Sequence, residues 1–137
     1  MRYLLGEPYE VAYAENSGVV MVIRSASGVP GVIEMSPYGT TVEWEESALI
    51  AFEKGYVKLR LPAPLAMHRA GTVEIYADDG GSPQRVLPTM PWVHAMRRQA
   101  VHFVKVCKGE MSPPCDAAEA AEDLAVARDY IRLRFGK

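Results

Sequence analysis

Among the 137 residues of this chain, three histidines, two cysteines and four charges on predicted strands have side chains able to act on a substrate. An imidazole titrates near neutrality and can pass a proton to or from a bound molecule. His94 follows Trp92 by two residues at the start of a predicted helix, which makes this pair the best placed to face a ligand. The plainer reading of His94 is a surface cap of that helix. His68 lies in Pro62-Ala63-Pro64-Leu65-Ala66-Met67-His68-Arg69, a rigid extended stretch that could line a pocket rim, or else an ordinary crossover between strands. Trp92, His94 and His68 are the substrate-pocket candidates. The histidines have no metal spacing, because eight residues at 100° each put His102 about 80° around the helix from His94.

Cys107 falls on the apolar stripe of its helix, which predicts a buried, inert thiol. Cys115 follows two prolines just ahead of a helix, where the dipole would lower its pKa; the alternative is a plain loop cysteine. Glu43 and Glu45 alternate against Lys58 and Arg60, which reads as charge pairing on a solvated or subunit-contacting face rather than acid–base work. Neither G-x-G-x-x-G nor G-x-x-x-x-G-K-S/T occurs, so no phosphate-binding loop is visible.

The elements that would position these groups run strands first and helices last, which points to α+β: an open, mainly antiparallel β-sheet with two C-terminal helices packed on one face. From Val42 to Phe52 the even positions read Val, Trp, Glu, Ala, Ile, Phe, and from Tyr56 to Leu61 the odd positions are Val57, Leu59 and Leu61. Each segment therefore has one apolar face. A two-residue turn at Lys54-Gly55 would set Phe52 opposite Val57, Ile50 opposite Leu59 and Ala48 opposite Leu61. Val19 to Arg24 is apolar on both faces, as a covered central strand would be. Shorter strands are expected at Tyr9–Ala14, Gly31–Met35, Thr72–Tyr76 and Gln84–Leu87, separated by turn residues such as Asn16-Ser17-Gly18 and Pro37-Tyr38-Gly39.

One helix is expected from about Trp92 to Lys108, with Gly109 as its C-cap. A second opens at Asp116 with Glu119 three residues on, a capping-box pair, and runs to about Phe135 with Ala120, Leu124, Ala127 and Ile131 inward. Acidic residues load its first turns and basic ones its last. Met1 to Leu5 reads as the last turn of a helix capped by Gly6, which suggests that something belongs upstream.

Composition is 49% hydrophobic and 23% charged with a net charge of -2, so neither disorder nor attraction to nucleic acid or anionic membrane is indicated. The longest apolar run, Val19 to Ile23, is far short of the roughly 20 residues of a membrane helix. With no signal-peptide core and too few cysteines for a disulfide framework, a cytoplasmic protein of one domain is expected.

Arg2-Tyr3-Leu4-Leu5-Gly6-Glu7-Pro8 resembles the segment that follows the catalytic helix in the Gfo/Idh/MocA family of NAD(P)-dependent sugar and polyol dehydrogenases. The closing stretch is similar too: Trp92, Gln99-Ala100, His102-Phe103, Lys108-Gly109-Glu110, Pro113-Pro114 and Asp116-Ala117-Ala118-Glu119-Ala120. Between them, Lys54-Gly55-Tyr56 leading to Leu61-Pro62-Ala63-Pro64, and Gly71-Thr72-Val73-Glu74-Ile75-Tyr76, fit the family's middle strands. The resemblance implies a C-terminal substrate and oligomerisation domain, residues 1–137, forming a homodimer through its sheet face. The family's Rossmann domain, glycine fingerprint and catalytic lysine, aspartate and histidine precede the matching segment, so no catalytic or cofactor role is carried onto a residue here. NAD or NADP is implied for the full-length family, with none bound by this chain alone, and a sugar or polyol only alongside a nucleotide domain. Two alternatives stay open: a stand-alone small-ligand-binding or assembly module that kept the fold, and a small α+β enzyme using His68 or His94 as base.

Overall fold

Strands followed by helices are realised as α+β, with the extended segments divided between two antiparallel sheets of three and four strands. The computed structural model describes residues 1–36, 39–41, 44 and 46–136. They form two compact units, Met1–Tyr38 with Pro114–Lys137, and Gly39–Pro113. The expected features at Pro37-Tyr38, Val42, Glu43 and Glu45 lie outside the described residues.

In the first unit α1 (Arg2–Leu5) is the expected single helical turn, and Gly6 closes it at φ 71°. Strands β1 (Tyr9–Ala14), β2 (Val20–Ser25) and β3 (Pro30–Glu34) follow, with β2 central as its two apolar faces require. A bulge in β1 between Val11 and Tyr13 shifts the register, so Val11 pairs with Ile23 and Tyr13 with Val22. Ile23 is fully buried, Ala14 and Ser25 nearly so, and Gly31 opposite Ile23 leaves room for its side chain.

Helix α3 (Ala117–Phe135) packs on β1. Its capping box forms as expected: Glu119 N–H donates to Asp116 Oδ1 at 2.9 Å, and Asp116 N–H to Glu119 Oε2 at 3.2 Å. The expected inward face is overturned. Leu124 and Ile131 are exposed, and Val126, Tyr130 and Arg134 are half-buried instead. Polar anchors set this rotation. Arg2 binds Glu122 and Asp123, Tyr130 Oη donates to the Gly18 carbonyl at 3.1 Å, and Arg134 donates to the carbonyls of Asn16 and Ser17 at 3.1 and 2.9 Å. Gly18 has φ 83°, and the Arg134 guanidinium fills the space a side chain would take there.

In the second unit β4 (Glu46–Phe52), β5 (Gly55–Leu61), β6 (Thr72–Ala77) and β7 (Gln84–Val86) form a meander in chain order. The β4–β5 hairpin has the expected apolar face but a register two residues from the expected one: Ile50 pairs with Val57, Ala48 with Leu59 and Phe52 with Gly55. A slip of two keeps every side chain on its face, so the alternation could not detect it. Gly55 decides it, because it is a strand residue and not a turn residue. A Cβ at Gly55 would lie 2.1 Å from the Tyr76 carbonyl oxygen, so glycine is what lets β5 approach β6.

Helix α2 (Ala95–Cys107) starts three residues later than expected, with His94 as N-cap. It ends in a Schellman motif: Gly109 at φ 71°, its N–H donating to the Val106 carbonyl and that of Glu110 to the Lys105 carbonyl, each at 2.9 Å. Cys107 is exposed, against the expectation of a buried thiol, because no residue of α2 is buried. Among the described residues, none of the second unit is buried.

Candidate ligand-binding site

The stretch after β5, expected to be extended, turns at Pro64-Leu65, where Ala66 N–H donates to the Ala63 carbonyl at 2.8 Å. Pro62, Ala63, Pro64, Ala66 and Arg69 form one wall of a cavity of about 300 Å³ within the second unit. Met90, Pro91, Val93, Ala95 and Arg98 form the opposite wall, and Glu46, Leu61 and Gly71 complete it. Prolines at 62 and 64 fix φ, and Pro64 suits the second position of this turn. A second concavity of about 380 Å³ adjoins it, sharing Leu61, Pro62 and Arg69 and adding Trp44, Arg60 and Thr72.

The three sequence candidates stand beside the cavity and not in its lining. Pro91 and Val93 line it while Trp92 and His94 do not, as side chains alternate along an extended segment. Trp92 is 74% exposed. The His94 Nδ1 accepts from the Arg97 backbone N–H at 3.2 Å, so this imidazole caps α2 as the plainer reading held. His68 is exposed, in a bend of the 62–71 loop. Trp92 and His94 stand at one end of α2, and His68 belongs to the loop between β5 and β6.

The polar groups in the lining are Glu46, Arg69 and Arg98, against an apolar wall of prolines, Leu61, Met90 and Val93. Such a cavity suits a small molecule with one apolar side and a few hydrogen-bonding groups. Two of these polar residues left a trace in the sequence. Glu46 is the one charge at an even position between Trp44 and Phe52, where the alternation is otherwise apolar. Arg98 stands four residues after His94, on the same helix face.

A second polar arrangement lies on the β5–β6 face. Tyr56 pairs with Tyr76 across the strands, and their rings stack with centroids 5.3 Å apart. Tyr56 Oη donates to Glu74 Oε1 at 2.9 Å, Lys58 lies 4.8 Å over the Tyr56 ring, and Arg85 approaches Glu74 at 3.3 Å. Lys58 thus finds a tyrosine face and, opposite it, Glu74. Arg60 pairs across the strands with Ser47 and Thr72. Among the described residues no cluster of histidine, cysteine, aspartate and glutamate could hold a metal ion, and no helix is long and apolar enough to cross a membrane.

Neither family models, nor curated proteins, nor solved structures give a match to this chain.

Proposed function

We propose that this chain is the substrate-binding and oligomerisation domain of an NAD(P)-dependent sugar or polyol oxidoreductase, a binding and assembly unit rather than a catalyst. Uncovered apolar surface carries the reading. The chain presents 10641 Å² of accessible surface, against about 7,100 Å² for a compact monomer of this mass and about 8,500 Å² for two separate compact bodies. Part of the apolar surface is patterned on the β4–β7 sheet, half-buried at its centre and exposed at Ile75 and Val86. Ile50, Val57, Ile75 and Val86 form one row across all four strands of the β4–β7 sheet, and Ala48, Leu59 and Val73 form the next. An ordered apolar face of this kind is what a protein–protein contact uses.

On this reading two copies of the chain associate through that sheet face. The cavity beside the 62–71 loop receives the sugar or polyol only when a nucleotide-binding domain brings NAD or NADP, because hydride transfer needs a nicotinamide held against the carbinol carbon. The setting is cytoplasmic, with Cys107 and Cys115 as free thiols. The test pairs sizing with an activity assay. We expect a dimer whose mass falls with Val86→Lys, and no turnover of sugars or polyols with either nicotinamide cofactor. A monodisperse monomer at high micromolar concentration, or NAD(P)-dependent turnover by the chain alone, overturns the proposal.

One observation favours a second reading, a stand-alone small-ligand-binding module: the cavity of about 300 Å³ is lined entirely from the second unit. A thermal shift given by one sugar or polyol without any nucleotide would select this reading.

A further inference from the structure

We infer that the cavity beside the 62–71 loop takes a small zwitterion with an aliphatic body, its carboxylate on Arg98 and its ammonium on Glu46. The inference rests on the second reading, a site that binds without a nucleotide domain, and names the ligand class of that site. Three charged side chains line the cavity, Glu46, Arg69 and Arg98. Arg69 already has an interaction of its own. Among the described residues, neither the Glu46 carboxylate nor the Arg98 guanidinium has a hydrogen bond or an ion pair, with the other or with a third group. Each is also out of pattern in its own element. Glu46 shares a face of β4 with Ala48, Ile50 and Phe52, and its cross-strand partner is Leu61. Arg98 follows Arg97 in the first turns of α2, a helix with no acidic residue, so two cations stand at the end where the dipole favours anions.

These two charges select the ligand. A neutral sugar would displace water from both and bring a counter-charge to neither. A simple carboxylic acid gains Arg98 but meets Glu46, and a simple amine gains Glu46 but meets Arg98. A molecule carrying both groups satisfies both residues. The guanidinium fork donates to the two oxygens of its carboxylate, and its ammonium donates to the Glu46 carboxylate, which only accepts. Glu46 and Arg98 do not pair with each other across the cavity, so the ligand that joins them carries its charges at the two ends of a chain, as an ω-amino acid does. The rest of the lining suits the methylenes of that chain, with Leu61, the prolines, Met90 and Val93 around it. A volume of about 300 Å³ stands at the lower end of small-molecule sites, in keeping with a ligand of this size.

Calorimetric titration of the full chain tests it, with the ω-amino acids from β-alanine to ε-aminocaproate as probes. The tightest of them should bind about ten-fold more tightly than the carboxylic acid or the amine of the same chain length, which keep the body and one charge each. Arg98→Gln should abolish its advantage over the amine, and Glu46→Gln its advantage over the acid. Both side chains are exposed, so folding should persist, and circular dichroism checks this. Acid or amine binding as tightly as the amino acid, or an advantage that survives either substitution, overturns the inference. Glucose and sorbitol are titrated alongside. Binding of one of them with none of the amino acids overturns the inference and leaves the second reading standing, whereas binding of no probe at all overturns both.

Discussion

The two units use antiparallel strands in opposite ways. In the first, α3 packs on β1 of a three-stranded sheet, and all the buried side chains among the described residues, Ala14, Ile23 and Ser25, are here. Cover comes through polar anchors at the ends of α3 and a small apolar centre at Ile23. In the second, four strands carry two apolar rows, and no described residue of the unit is buried. Backbone pairing alone orders a meander but does not remove its apolar face from water. The first unit is thus held by its interior, and the second by its ladder.

That contrast predicts unequal costs for similar losses. Ile23→Ala should destabilise the first unit by about 3 kcal/mol, since it removes a fully buried side chain. Phe52→Ala deletes a larger side chain that is 63% exposed, and should change stability by less than about 0.5 kcal/mol. Urea unfolding measures both, and hydrogen exchange should accelerate in β1–β3 for Ile23→Ala while the β4–β7 amides hold. Equal costs for the two variants would break the comparison.

In the second unit the ladder is the vulnerable part. Gly55→Ala places a methyl group against the Tyr76 carbonyl and should cost about 2 kcal/mol by prying β5 from β6. Exchange should rise at the paired residues Tyr56, Val57 and Lys58, with β1–β3 unaffected. A neutral Gly55→Ala would mean that the sheet, too, is held by packing.

The same residues show how far a sequence can be read. Strand positions, the α+β order, the capping box and the Gly6 and Gly109 terminations were legible because each rests on local chemistry: alternation, side-chain caps and left-handed glycines. The hairpin register was not, because a two-residue slip preserves the alternation and the deciding contact, Gly55 against Tyr76, comes from a third strand. The face of α3 was misread for a related reason. Apolar periodicity selects Leu124 and Ile131, but Arg2, more than a hundred residues upstream, holds the other side of the helix. Of the site, the proline-rich wall was visible as a rigid segment, and Glu46 as a charge out of pattern. That Trp92 and His94 sit beside the cavity follows from where α2 begins, which a helical wheel does not determine.

Helix starts extend the comparison at smaller amplitude. The Asp116 carboxylate accepts from the Glu119 backbone N–H while the Asp116 N–H donates to the Glu119 carboxylate, so Asp116→Ala should cost the first unit about 1 kcal/mol. His94 offers α2 one longer bond at an exposed start, so His94→Ala should cost the second unit less, about 0.5 kcal/mol. Thermal melts of the two variants should rank in that order. A larger loss at His94 would mean that its imidazole does more than cap.

The smallest expected effect is a pH dependence in the first unit. Hydrogen bonds from Ser25 and Ser27 hold the Glu7 carboxyl below its usual range, the Ser27 hydroxyl donating at 2.5 Å and its backbone N–H at 3.2 Å. These bonds tie the start of β1 to the β2–β3 turn, where Ser25 Oγ also accepts from Val29 N–H at 3.0 Å. Because the folded carboxyl titrates lower than the unfolded one, its contribution is complete above the unfolded value of about 4.3. It is lost as pH falls through the lower, folded value. Glu7→Gln should therefore flatten the acid limb of the stability curve below about pH 4.3 and leave the slope at neutral pH unchanged. Solvent screening keeps the amplitude small. Ser27→Ala should reproduce the flattening in part by removing one donor. An acid limb unchanged in Glu7→Gln would show that the turn at Ser25–Val29 holds without its carboxylate.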